Sequence, residues 1–167
     1  MYVTGTSGDD FATIAYRAGT GAQLWVSRQV HHESFANLAA ALAASPTGAN
    51  LYVTGISGFD IETVGYRAAT GARLWVNRFR GRPLGSVSRA VAVGPRGHTV
   101  YVTGSAGAND FVTIAYNAAA GSRRWVRLYP GSGSALAVSP VTGTVFVTGS
   151  TDRRAMGLDY ATIAYHG

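Results

Sequence analysis

The sequence predicts an all-β protein built from β-propeller blades, each a sheet of four antiparallel strands, in a partial or open propeller. Three observations lead there. First, the chain repeats: YVTGTSGDDFATIAYRAGTGAQLW from Tyr2, LYVTGISGFDIETVGYRAATGARLW from Leu51 and YVTGSAGANDFVTIAYNAAAGSRRW from Tyr101 align in register. A fourth, shorter copy starts VFVTGS at Val145 and closes TIAYHG. Tryptophans at 25, 75 and 125 and tyrosines at 16, 66, 116 and 165 set a period of about fifty residues, the mark of stacked supersecondary units. Second, each copy is a series of Val-, Ile-, Thr- and Tyr-rich runs between Gly and Pro clusters, and the short links imply antiparallel neighbours. Third, Phe111, Thr113 and Ala115 alternate with Val112, Ile114 and Tyr116. Neither side is charged, so both faces of the sheet are covered.

The third copy shows the strand positions, A to D, most plainly. Position A is the small-residue run RAVAVGP at 89–95, and a turn at Pro95–Gly97 leads to position B, Thr99 to Gly104. Position C is Asp110 to Tyr116, and a turn over Ala118 to Gly121 leads to position D, Arg123 to Tyr129. Extended along the single array 1–167, this gives a partial blade at 1–30 (B, C, D), full blades at 36–80 and 87–129, and a partial blade at 134–167 (A, B, C), about fourteen strands in all. One stretch conflicts. Glu33 to Ala44, ESFANLAAALAA, favours helix by propensity. Pro46, Pro95 and Pro140, however, each stand six residues before the aromatic of position B (Tyr52, Tyr101, Phe146), which assigns the run to position A. The small side chains of position A suit the crowded place near a propeller axis.

Composition narrows the function classes. Charged residues are 13% and apolar ones 47% of the 167 residues, unlike a disordered chain. Without cysteine there is no disulfide, thiolate nucleophile or Cys-bound metal. No apolar run reaches membrane-span length. All fourteen basic residues are arginines and the net charge is +6, which favours acidic partners without singling out nucleic acid. The chain opens inside a repeat with no signal peptide before Tyr2, which reads as a fragment or trimmed chain.

The combination YVTGxSGxDFxTIAY…TGAxLWV followed by AxAVSPxG resembles the bacterial β-propeller repeats found in tandem in large, mostly exported proteins. The resemblance implies an exported or cell-surface protein. AYRAGTGAQLW, Ala15 to Trp25, is also similar to the tryptophan-docking motif of quinoprotein (PQQ-like) propellers: an Ala, an Asp, Thr-Gly, then Trp. The Asp slot holds Arg17, Arg67 and Asn117, and Ala120-Gly121 replaces Thr-Gly in the third copy. The resemblance implies that Trp25, Trp75 and Trp125 wedge between neighbouring blades, largely buried.

Antiparallel order puts the B–C and D–A connections on one face and the A–B and C–D turns on the other. The second face is uniform, with Pro-x-Gly and Thr-Gly or Ala-Gly turns. The first varies in length and is where binding is expected. Its singular residues are His31, His32, Arg80, Arg82, Tyr129, Asp152, Arg153 and Arg154. Adjacent histidines on an extended segment point to opposite sides, so His31 and His32 with Glu33 would need a third ligand to hold zinc. Asp10, Asp60, Asp110 and Asp159 recur at the start of position C. A calcium ring is one reading, and turn aspartates bonding nearby backbone N–H groups the other; residue type and position favour the second. Arg78, Arg80 and Arg82 alternate, either facing a polyanion or forming a solvated edge that resists aggregation.

No nucleophile elbow, phosphate loop or H-E-x-x-H is present. Two classes remain. One is a non-catalytic scaffold that holds no cofactor and offers its loop face to an acidic protein or glycan surface, with neither nucleic acid nor membrane as partner. The other is a piece of a quinoprotein-like oxidoreductase. Two whole blades with two three-stranded remnants also imply self-association or membership of a longer propeller.

Overall fold

The computed structural model describes residues 1–8, 10–29, 37–81, 85–107, 109–153 and 157–166, with 152, 153, 157 and 158 described by backbone alone. Among them are fourteen strands in four antiparallel sheets. The first sheet is β1 (Tyr2–Ser7), β2 (Asp10–Tyr16) and β3 (Gln23–Gln29). The second is β4 (Asn37–Ala44), β5 (Asn50–Ser57), β6 (Asp60–Arg67) and β7 (Arg73–Phe79). The third is β8 (Ser86–Val93), β9 (Thr99–Ala106), β10 (Asp110–Asn117) and β11 (Arg123–Pro130). The fourth is β12 (Ser132–Val138), β13 (Val145–Arg153) and β14 (Gly157–Tyr165). Each sheet is ordered as the chain runs, the meander of a propeller blade.

The alanine-rich run is a strand where it is described. β4 pairs with β5 from Asn37↔Ser57 to Ala44↔Leu51, and residues 33–36 lie outside the described residues. Tertiary pairing overrides its helix propensity. Its small side chains let the inner strands β4, β8 and β12 pack against one another in succession.

The inner strand of the second, third and fourth sheets bulges, at Ala39/Ala41, Ser88/Ala90 and Gly133/Ala135. There its backbone leans onto the glycine of the VTG motif. A Cβ at Gly55, Gly104 or Gly149 would overlap the carbonyl of Leu38, Val87 or Ser132. Gly5 faces no inner strand and has nothing within 4 Å. The threonine of the same motif ties positions B and C together. Thr4, Thr54, Thr103 and Thr148 donate to the carbonyls of Ala12, Glu62, Val112 and Ala161 at 2.9–3.2 Å.

Three apolar cores lie between sheets. Phe11 meets Leu51, Val53, Val64 and Tyr66 at the first junction. Tyr52, Ile61, Trp75 and Phe79 meet Val100, Val102, Ile114 and Tyr116 at the second. Tyr101, Phe111 and Ala115 meet Val145 and Val147 at the third. Val3, Leu24 and Val26 remain exposed on the first sheet and Phe146 on the fourth, so the blades form an open arc.

Candidate functional site

The junctions are built by one repeated contact. Trp25 Nε1 donates to the Ala68 carbonyl of the next blade at 3.0 Å, and Trp75 Nε1 to Ala118 at 2.9 Å. The same carbonyls accept from the hydroxyls of Tyr2 at 3.3 Å and Tyr52 at 3.2 Å. Each indole lies where a side chain on the turn glycine would stand: an ideal Cβ on Gly71 falls 2.6 Å from Trp25, and one on Gly121 2.5 Å from Trp75. Both glycines have φ near +70°, so sterics and backbone demand the same residue. Trp75 is 8% exposed, whereas Trp25 and Trp125 are half-buried. Trp125 packs between Tyr101 and Tyr165, ring centroids 6.0 and 5.6 Å away. In the slot expected to hold Asp, Asn117 Oδ1 accepts from the Ala119 and Ala120 amides, at 2.9 and 3.0 Å. Arg17 and Arg67 cannot do this, because guanidinium has no acceptor.

Burial at these junctions moves the tyrosines. It pushes the Tyr116 phenol up to about 12, against the opposing pull of the Thr63 hydroxyl and the Arg123 charge. The Tyr116 hydroxyl lies beside Thr63 but not at hydrogen-bonding geometry, so desolvation dominates. Tyr66 is raised for the same reason, beside Ser27 and Thr13 of the first blade. These are packing groups, not a reactive cluster.

Of the loop-face residues singled out from sequence, Arg80, Tyr129, Asp152 and Arg153 lie among the described residues. Arg80 follows β7 with its side chain 88% exposed, its Nε 3.6 Å from Asp60 Oδ1. Arg78, one step inward, is closer to its partner: Nε to Glu62 Oε2 is 2.8 Å. Phe79 between them is buried, so the alternation is real, but both arginines meet carboxylates of the adjacent strand rather than an open row. Tyr129 is exposed at the end of β11 and packs edge-on against Phe111, centroids 6.3 Å apart. Asp152 and Arg153 lie in β13, paired with Leu158 and Gly157 of β14. His31, His32, Arg82 and Arg154 lie outside the described residues. Among the described residues no three His, Asp or Glu side chains converge to hold a metal.

Two residues escaped the sequence reading. Glu62 is fully buried, a carboxylate where the other copies have Ala12, Val112 and Ala161. Comparing that column across the repeats would have found it. Phe59, in the B–C turn next to Asp60, is 60% exposed and lies against Gly85. It stands where the first copy has Asp9, so the same comparison exposes it.

Among solved structures, the chain is similar to Kuenenia stuttgartiensis hydrazine synthase at 14% identity and a TM-score of 0.45, covering 96% of this chain and 57% of that one. It is also similar to BamB from Moraxella catarrhalis at 12% identity and a TM-score of 0.41, covering 88% of this chain and 69% of that one. No curated protein sequence matches it. Residues 5–162 match the PQQ-like repeat family described as outer membrane protein assembly factor BamB. With that match spanning the repeats and tryptophan-locked blades beneath it, the chain belongs to this family of PQQ-like β-propeller repeat proteins.

Proposed function

We propose that the chain is a non-catalytic propeller scaffold whose B–C and D–A loop face binds an acidic protein or glycan surface. The observation that carries this reading is the pairing of exposed Phe59 with solvated Arg80 on either side of Asp60. Interfaces use aromatic residues and arginine as anchors, because each combines apolar area with a directed polar or charged contact. Tyr129 adds a second exposed aromatic on the neighbouring blade. The family's description as an assembly factor supports a role exercised through contact with other proteins. The exposed apolar faces of the first and fourth sheets favour self-association or packing against further blades.

The test is a pull-down and glycan array at low and high salt, comparing the chain with a Phe59→Ser/Arg80→Ala variant. Binding should weaken with salt, since exposed charges are screened beyond about 8–10 Å, and weaken again in the variant. A partner that binds the variant as well as the parent would move the site off this face.

The oxidoreductase reading rests on the family's quinone chemistry. A quinone with its metal needs cations and oxygen ligands converging on the axis. The inner strands β4, β8 and β12 carry Ala, Leu, Val and Ser, with Asn37 and Gly133 the exceptions and Arg89 the one charged residue in their spans. These residues do not fit that group. Quinone-dependent dye reduction by the purified chain would overturn the non-catalytic reading.

A further inference from the structure

The charges of the chain are divided unevenly between its two faces. The A–B turn segments (45–50, 94–99 and 139–144) and the C–D turn segments (17–23, 67–73 and 117–124) hold Arg17, Arg67, Arg73, Arg96, Arg123 and Arg124 and no Asp or Glu. The remaining eight arginines equal the eight carboxylates in number, so the whole excess of +6 belongs to the turns. All six turn arginines are exposed. Among the described residues none of them pairs with a carboxylate, whereas Arg78 and Arg80, at the other ends of the strands, both do.

The turns that carry these cations form one fixed surface. The Ala68 and Ala118 amides of two C–D turns donate to the Ala49 and His98 carbonyls of the A–B turns beside them, at 2.9 and 3.1 Å. An ideal Cβ on Gly97 falls 3.6 Å from Pro46 Cδ, so neighbouring A–B turns touch. The Gly21 and Gly71 amides close their turns on the Arg17 and Arg67 carbonyls, at 2.8 and 2.9 Å. Three of the cations are oriented by neutral groups. Arg73 Nη1 donates to Gln29 Oε1 of the preceding blade at 2.9 Å. Arg123 Cζ lies 6.0 Å from the centroid of the Phe79 ring, and Arg124 Nη2 donates to the His98 carbonyl at 3.4 Å. Such contacts hold a guanidinium without neutralising it, so less side-chain freedom is lost when an anion arrives. Like charges gathered on one face also repel, and a partner of opposite charge removes that repulsion.

We propose that this turn face is a docking surface for an acidic segment of another polypeptide, lying extended across successive C–D turns. The guanidinium fork matches a carboxylate through two parallel hydrogen bonds. Leu74, exposed beside Arg73, adds an aliphatic contact for a peptide side chain. No Phe, Tyr or Trp occurs in the turn segments, which leaves no platform for the base stacking that holds single-stranded nucleic acid. The surface lies on the opposite face from Phe59 and Arg80, so either assignment can fail alone.

The probe is a labelled peptide of about ten glutamates, roughly 33 Å long when extended, added to the full chain and followed by fluorescence anisotropy. A glutamine peptide of the same length is the neutral control. The glutamate peptide should bind, the glutamine peptide should not, and binding should fall as salt rises. Arg17→Asn/Arg67→Asn removes two of the cations and installs the residue of the third copy, where Asn117 caps its own turn. This variant should keep its fold by circular dichroism and bind about three- to tenfold more weakly at low salt, a gap that narrows as salt rises. Arg96→Thr, with the residue that the preceding A–B turn carries as Thr47, should act in the same direction. Phe59→Ser/Arg80→Ala should change binding of this peptide little. Absence of binding, equal binding by the glutamine peptide, parent-like binding by both turn variants, or a loss confined to Phe59→Ser/Arg80→Ala would overturn the proposal. So would tighter binding of a sulfated oligosaccharide, duplex DNA or anionic vesicles than of the glutamate peptide, since the face would then be suited to a polyanion of another class.

Discussion

Replacing Trp75 by alanine tests the junction chemistry most directly. The side chain is 8% exposed, lies over Gly121, and stacks between Tyr52 and Tyr116 with centroids 5.8 and 6.1 Å away. A buried indole removes about 200 Å² from water, which at about 25 cal/mol/Å² sets an upper bound near 5 kcal/mol. The hydrogen bond to the Ala118 carbonyl adds about 1 kcal/mol, apolar burial retained in the unfolded chain lowers the total, and the expected loss is about 3–5 kcal/mol, the range for buried aromatics cut to alanine. Trp75→Phe should cost only about 1–2 kcal/mol, because the Tyr52 hydroxyl still donates to Ala118. Trp125→Ala should cost less than Trp75→Ala, about 1–2.5 kcal/mol, since Trp125 is half-buried. Urea unfolding followed by circular dichroism, which does not depend on the deleted indole, gives all three values. Equal losses for Trp75→Ala and Trp125→Ala, or a Trp75→Ala loss below about 1 kcal/mol, would refute the argument that the interblade seat sets the energy.

The VTG glycines offer a matched pair: Gly104→Ala should cost about 3 kcal/mol or prevent folding, while Gly5→Ala, with nothing within 4 Å of its Cβ, should change stability by less than about 0.5 kcal/mol. Thermal melts of the two variants decide this. Tyr116 makes stability pH-dependent at the alkaline end. The folded state holds the phenolic proton more tightly, up to about 12 against 10.0, so its contribution is complete below pH 10 and lost as pH rises towards 12. That amounts to about 2–3 kcal/mol, and in Tyr116→Phe the slope between those limits should be shallower. Arg78→Ala removes a cation from the buried Glu62 and should cost about 2–3 kcal/mol at neutral pH. Urea denaturation at pH 7 measures the loss, and Arg78→Lys, which keeps the charge, should recover part of it.

Much of the fold was legible before any coordinates. The fifty-residue period, the four strand positions, the Gly and Pro turns and the strand assignment of the alanine-rich run all follow from side-chain alternation and local backbone preference. Those signals travel with the residues themselves. Strand β4 shows how far this reaches: its propensity pointed to helix, yet the spacing to Pro46 and Tyr52 placed it correctly, because register in a repeat array is set by neighbouring copies.

The candidate site was less legible. The arginine alternation at 78 and 80 was visible, but the carboxylates those side chains meet lie across a strand pair, and only the register of β6 against β7 brings them together. Phe59 and Glu62 looked ordinary along the chain and stand out only by exposure and burial. Near-identical motifs ended in opposite environments: Gly104 is pressed by Val87 while Gly5 faces open space, and FVTIAY is buried in β10 while YATIAY is half-exposed in β14. The sequence by itself determined what each blade is made of and where it turns. Tertiary structure alone decided which copies of a motif are covered, because burial, strain and pKa depend on the atoms packed against a residue and not on the residue's own identity.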